Sequence, residues 1–135
     1  MNILKKVYCR VFQFCFHLAL PLLPYREPQL LDSINGLTPI LKKLNIKSVL
    51  LVTDESLRNV GVTKPLEQLL EKNDICCAVF DGTRPNPTVN NVEQARELYI
   101  KENCECIIAF GGGSSIDCAK AVGARIAYPK KALIK

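Results

Sequence analysis

Three short apolar runs recur along the chain: SVLLVTD from Ser48, ICCAVF from Ile75 and CIIAF from Cys106. Each is followed by a stretch with helical spacing. None alternates polar with apolar residues, so each predicts a strand covered on both faces. Parallel strands cannot be joined by a tight turn and need a crossover, usually a helix. The expected fold class is therefore α/β, a parallel sheet with crossover helices. Helical segments are expected at Leu30–Leu44, interrupted by Asn35-Gly36 and by Pro39, at Lys64–Lys72, at Val89–Glu102 and at Ser114–Ala124. Glu55–Gly61 is expected to turn once or twice. Pro65 suits a first helical turn, where its missing N–H costs nothing. Val92, Ala95, Leu98 and Tyr99 are spaced for one apolar face.

In such sheets ligands sit outside the carboxyl ends of the strands. Those ends here are Thr53-Asp54, Asp81-Gly82 and Gly111 to Ser114, all polar or glycine-rich. At Gly111, Gly112 and Gly113 the backbone can turn sharply and approach a ligand with no β-carbon in the way. The helix expected from Ser114 presents unpaired N–H groups and the positive end of its dipole, a natural seat for a phosphate. Ser114 or Ser115 would add a hydroxyl donor or cap the helix. A tight turn with a serine cap explains the same residues without a ligand. GGGSSIDCAK has neither the GxGxxG spacing nor the Walker arrangement, and Lys120 lies too far along the helix to grip a phosphate at its start.

Asp54 is placed to accept hydrogen bonds from ribose hydroxyls and to repel an added phosphate, or else to cap the segment after it. Asp117 lies one turn inside the glycine-led helix. In DGTRPNPT two prolines are expected to hold a rigid extended loop around Asn86. Thr88 is a candidate cap for the next helix, with Glu93 too far along to complete a capping box.

The chain's 135 residues, 48% of them hydrophobic, suit one domain with a real core. Net charge is +5, but the basic residues are spread out, and no basic stripe of the kind that tracks nucleic-acid phosphates is present. The seven cysteines contain no CxxC pair and read as mostly buried free thiols in a reducing, cytoplasmic setting. Strand alternation would put Cys104 and Cys106 on one face. A zinc site from Cys76, Cys104 and Cys106 lacks a marked fourth ligand. Residues 1–28 form a separate basic and apolar extension, expected to be helical from Ile3 to Leu20 and docked on the body of a larger protein. It is too short to span a bilayer comfortably and lacks a small-x-small cleavage site. Peripheral contact with a membrane stays open.

Together, VLLVTDESLRNVG, VFDGTRPNPT and CECIIAFGGGSSIDCAKAVG closely resemble the amino-terminal domain of the iron-containing (group III) alcohol dehydrogenase family. The likeness runs from about Leu30 to at least Ala127. It implies a Rossmann-like domain over 29–135 that binds NAD or NADP, with NAD favoured by Asp54. Gly111, Gly112, Gly113 and Ser114 match the family's pyrophosphate loop. Asn86, Pro87 and Thr88 match its loop beside the cofactor cleft, and Asp117 its helix aspartate.

The resemblance also implies hydride transfer between a small alcohol or aldehyde and the dinucleotide, and assembly as a homo-oligomer is compatible with it. The family's iron or zinc is held by an aspartate and three histidines on a second, helical domain. This chain has His17 alone, so no ligand or catalytic residue carries over. The expectation is the cofactor-binding half of a longer enzyme, inactive alone. A related glycerol or sugar-alcohol dehydrogenase or synthase, or a non-catalytic nucleotide-binding module, are the alternatives.

Overall fold

A computed structural model describes residues 3–19 and 28–129. The chain divides into two units, Met1–Leu30 and Leu31–Lys135. Among its described residues the first carries one helix, α1 (Ile3–Ala19), close to the expected bounds. Residue 20 and the segment up to 27 lie outside the described residues.

The second unit carries α2 (Leu37–Lys43), β1 (Ser48–Val52), α3 (Glu55–Val60), α4 (Lys64–Glu71), β2 (Cys76–Phe80), α5 (Val89–Lys101), β3 (Cys106–Ala109) and α6 (Gly113–Ala127). The three strands form a parallel sheet in the order β2-β1-β3. This is the Rossmann-like crossover arrangement expected. Central β1 pairs Ser48 with Cys76 through Val52 with Phe80 on one side, and Val49 with Cys106 through Val52 with Ala109 on the other. Val49 to Val52 are fully buried. Leu50 and Val52 face a core built with Val92 and Ala95 of α5 and Cys118, Ala119 and Val122 of α6. Val49 and Leu51 face the opposite core, with Leu41 of α2 and Leu66 and Leu70 of α4. The crossover from β1 to β2 thus covers one face and that from β2 to β3 the other, which puts a topological switch point between β1 and β3.

The three strands are each entered through the same device. Asn45, Asp74 and Asn103 adopt left-handed φ values of 57°, 59° and 48° just after α2, α4 and α5. The next residue's amide reaches back to close the helix: Ile46 N to Leu41 O, Ile75 N to Leu70 O and Cys104 N to Tyr99 O, each at 2.9–3.0 Å. These are Schellman closures, with Asn or Asp doing the work usually given to glycine. In each, the donor residue is apolar and shares a core with the residue that accepts.

That device corrects one expectation. Cys104 is the apolar staple of the turn after α5 and packs in the α5–α6 core, whereas Cys106, the first residue of β3, packs toward the α2–α4 core. The two thiols lie on opposite faces, so a shared site is excluded. Among the described residues no group of three or more His, Cys, Asp or Glu is arranged to hold a metal. The Leu30–Leu44 helix is also shorter than expected. It is a 3-10 turn at Ile34–Gly36 followed by α2, and Pro39 sits in the first turn of α2 rather than breaking it.

All seven cysteines are free. Cys104 and Cys118 are buried, Cys77 and Cys106 half-buried, while Cys9, Cys15 and Cys76 are exposed, so the expectation of mostly buried thiols fails at three positions. Burial, reinforced by Glu67, pushes the Cys77 thiol up to about 11, and burial also raises Cys104, Cys106 and Cys118. Since the thiolate is the reactive form, brief native alkylation should label Cys9, Cys15 and Cys76 first, with the other four labelled only after denaturation. Peptide mass spectrometry reads the order, and early labelling of Cys118 would contradict the α6 packing.

Candidate nucleotide-binding cleft

The carboxyl ends of all three strands open on one cleft of about 390 Å³, lined by Asp54, Glu55, Ser56, Thr83, Arg84, Pro85, Gly112, Gly113, Ser114 and Ser115. It lies at the switch point. The loops that shape it are tied together. Thr53 N donates to Phe80 O at 2.9 Å, Phe110 N donates to Val52 O at 2.9 Å, and Asp54 bridges to Gly82. A larger hollow of about 570 Å³ lies near the start of β2, but Glu67, Glu71 and Asp74 line it and repel anions.

After β1, Asp54 caps α3: its Oδ1 accepts from Leu57 N at 3.0 Å. The capping role weighed from sequence is therefore real, and the same carboxylate still lines the cleft. After β2, the loop is not extended throughout, because Asn86 takes a left-handed φ of 55°. Thr88 does cap α5, and it forms a capping box after all. Its hydroxyl accepts from Asn91 N at 3.3 Å while Asn91 Oδ1 accepts from Thr88 N at 3.4 Å. Buried Asn91 also donates from Nδ2 to Gly82 O at 3.0 Å, which pins the loop from beneath.

After β3, the three glycines divide into two kinds. Gly111 has φ +136°, and a β-carbon there would stand 2.9 Å from Leu57 Cδ1 and from Ser115 Oγ. The turn itself demands glycine at that point. Gly112 and Gly113 have no such reason: a β-carbon on either would meet nothing within 4 Å. The empty space beside them is the cleft. Helix α6 begins at Gly113, one residue earlier than expected, with Gly112 as its N-cap and no side chain capping it. Neither Ser114 nor Ser115 plays that part, and Ser115 is buried.

Of the residues singled out from sequence, Asp54, Gly112, Gly113 and Ser114 line the cleft together and Gly111 forms the turn behind them. Asn86, Pro87, Thr88 and Asp117 stand outside its lining, Asp117 exposed on α6. Ser115, named with Ser114 as a candidate hydroxyl, also lines the cleft, whereas the reading missed Thr83 and Arg84. Arg84 is exposed and makes no ion pair among the described residues. Thr83 is buried, and its hydroxyl has no hydrogen-bond partner. It lies near the Cys118 thiol and offsets part of the rise that burial causes there, without hydrogen-bond geometry. An arginine between a strand end and two prolines was a visible signal for an anion contact. The orphaned Thr83 hydroxyl was not visible, since it depends on the fold.

The arrangement can bind an anion. It offers an uncapped helix start and bare backbone after β3, an exposed arginine after β2 and hydroxyls beside them, with the Asp54 and Glu55 carboxylates after β1 as acceptors.

Comparison with known proteins gives the chain's family. Residues 30–135 match the family model described as "Iron-containing alcohol dehydrogenase". Alcohol dehydrogenase 4 of Schizosaccharomyces pombe is 43% identical over 82 residues, 61% of this chain and 19% of that protein. The 1,3-propanediol dehydrogenase of Citrobacter freundii is 45% identical over 85 residues, 61% of this chain and 22% of its own length. Among solved structures, a 1,3-propanediol oxidoreductase superposes with a TM-score of 0.68 at 34% identity, over 72% of this chain and 25% of that one. The NADH-dependent butanol dehydrogenase A of Thermotoga maritima gives 0.68 at 30% identity, over 78% and 28%. The chain thus spans between 19% and 28% of the length of these proteins. On the match across residues 30–135, the chain belongs to the iron-containing alcohol dehydrogenase family.

Proposed function

We propose that the cleft binds the pyrophosphate of a nicotinamide dinucleotide, as the cofactor-binding part of an oxidoreductase acting on small alcohols and aldehydes. The observation that carries this reading is the open space beside Gly112 and Gly113 at the start of α6. Glycine at the first position of a helix costs backbone entropy, and nothing among the described residues requires it there. A phosphate approaching the backbone does.

In this reading the amides at the start of α6 hold the pyrophosphate, with Ser114 and Arg84 as further donors. Asp54, kept in place by its bond to Leu57 N, accepts from the adenosine ribose and disfavours a phosphate on that ring, so NAD is preferred over NADP. Asn86, Pro87 and Thr88 form the outer rim toward the nicotinamide, and Asp117 lies on the helix beyond it. The dinucleotide, when bound, supplies the hydride chemistry, and these residues supply its position. Names borne by relatives, such as alcohol dehydrogenase, 1,3-propanediol dehydrogenase and butanol dehydrogenase, support an alcohol substrate. The described residues of this chain do not fit the family's metal, since they offer no cluster of ligands and His17 is the only histidine in the sequence.

Titration of the purified chain with NADH, followed by nicotinamide fluorescence, tests the reading. Saturable binding competed by ADP, and weaker for NADPH than for NADH, is expected. Absence of binding by both NADH and ADP would end it.

A further inference from the structure

Helix α1 has a composition found nowhere else in the chain. No Asp or Glu precedes Glu27, while Lys5, Lys6, Arg10 and Arg26 all do. Along the described helix, Arg10, Gln13 and His17 follow one another at spacings of three and four, so they make one narrow polar strip. From Val7 onward the rest of the circumference is mostly apolar and exposed, Val7, Val11, Phe14 and Leu18 on one flank, Tyr8, Phe12 and Phe16 on the other. Ahead of them, helical spacing puts Lys6 in line with the polar strip and Lys5 in line with Phe12 and Phe16, where a lysine's long stem lets the ammonium reach back to the headgroup level. Phe14 and Leu18 are each 66% exposed. The three rings of the second flank stack in file, with centroids 6.5 and 6.3 Å apart.

The charge on that face favours an anionic partner. Residues 31–135 are themselves net basic, so neither this chain's own body nor a second copy offers an attractive field to a helix with no carboxylate. An anionic lipid surface does. The helix has 17 residues, about 25 Å at 1.5 Å each, which is short of a hydrocarbon core of about 30 Å. Among the described residues no helix is long and apolar enough to cross a membrane. A wide aromatic and aliphatic face with a narrow cationic strip is the pattern of a helix lying in the interface plane.

We propose that α1 is an interfacial anchor that binds anionic lipid surfaces, its Phe12 and Phe16 side sunk among the upper acyl chains and Arg10 set toward the headgroup phosphates. The nucleotide-binding unit would thereby be held at a membrane without being threaded through it. This rests on α1 alone and is independent of what the cleft binds.

Co-sedimentation of the whole chain with vesicles tests it, using phosphatidylcholine alone and equal parts phosphatidylcholine and phosphatidylglycerol. The chain should sediment with the anionic vesicles, much less with the zwitterionic ones, and be released by salt. A basic residue near such a surface is worth about fivefold in affinity, so reversing one in Arg10→Glu, two charge steps, should weaken binding about twenty-five-fold. Phe12→Ser should weaken it on both lipids, with far-ultraviolet dichroism of both variants confirming that the body stays folded. Equal, salt-insensitive binding to the two kinds of vesicle would overturn the proposal. So would sedimentation without vesicles that Phe12→Ser removes, since a second copy would then be the partner, and so would no binding at all.

Discussion

Replacing Gly113 with valine is expected to abolish dinucleotide binding while leaving the chain folded. Gly113 is the first residue of α6, and a β-carbon there meets nothing within 4 Å. Valine has a higher helix propensity than glycine by a few tenths of a kcal/mol, so stability should hold or rise slightly. The added methyl groups fill the space that a phosphate needs in order to reach the helix's first amides. Two charge-assisted hydrogen bonds at about 1.5–3 kcal/mol each are then lost, which weakens binding by about a hundredfold or more. Gly111→Ala should do the reverse. Its φ of +136° and the contacts at 2.9 Å make alanine strained there, at a cost of about 1–3 kcal/mol. Thermal unfolding and NADH titration on the same two variants separate these effects. If Gly113→Val bound NADH within a few-fold of the unaltered chain, the glycine would be incidental and the cleft would have lost its main support.

How far residues alone reveal this site is itself a physical question. The strands were legible because their apolar runs are unbroken, and α6 was legible because glycines precede a helical pattern. The side of the sheet on which each helix lies was not legible, because the order β2-β1-β3 is decided by long-range packing. The site depends on that order, since it puts the ends of β1 and β3 side by side. Local rules misled at two places where an asparagine does unusual work. Asn103 closes α5 in a left-handed turn, which moves Cys104 out of the strand, and Asn91 completes the capping box that Glu93 lies too far along to form. Both were within reach of the sequence, since asparagine tolerates the left-handed region and its amide both donates and accepts. The division of labour among Gly111, Gly112 and Gly113 was not, because it depends on the path of the turn and on Leu57 arriving from α3.

The largest loss of stability is expected at Leu50, in the middle of the central strand. It is fully buried and paired across to Ala78 and Ile107. The buried residues sharing its core are all smaller, among them Val92, Ala95, Cys118, Ala119 and Val122, with larger side chains such as Phe80 and Leu98 only partly buried around them. Leu50 therefore supplies much of the volume under α5 and α6. Its neighbours cannot close over a gap, because β1 is held by backbone hydrogen bonds on both edges. Leu50→Ala should cost about 2–5 kcal/mol, toward the upper end for want of relaxation, against a total of about 5–15 kcal/mol for an ordinary domain. Urea unfolding should show the midpoint falling with its slope unchanged. Any loss of NADH binding should then track the unfolded fraction, unlike that of Gly113→Val, and should recover under conditions that refold the chain. A cost below about 1 kcal/mol would mean that a cavity at the strand's centre is readily filled, and that α5 and α6 do not rest on β1 through Leu50.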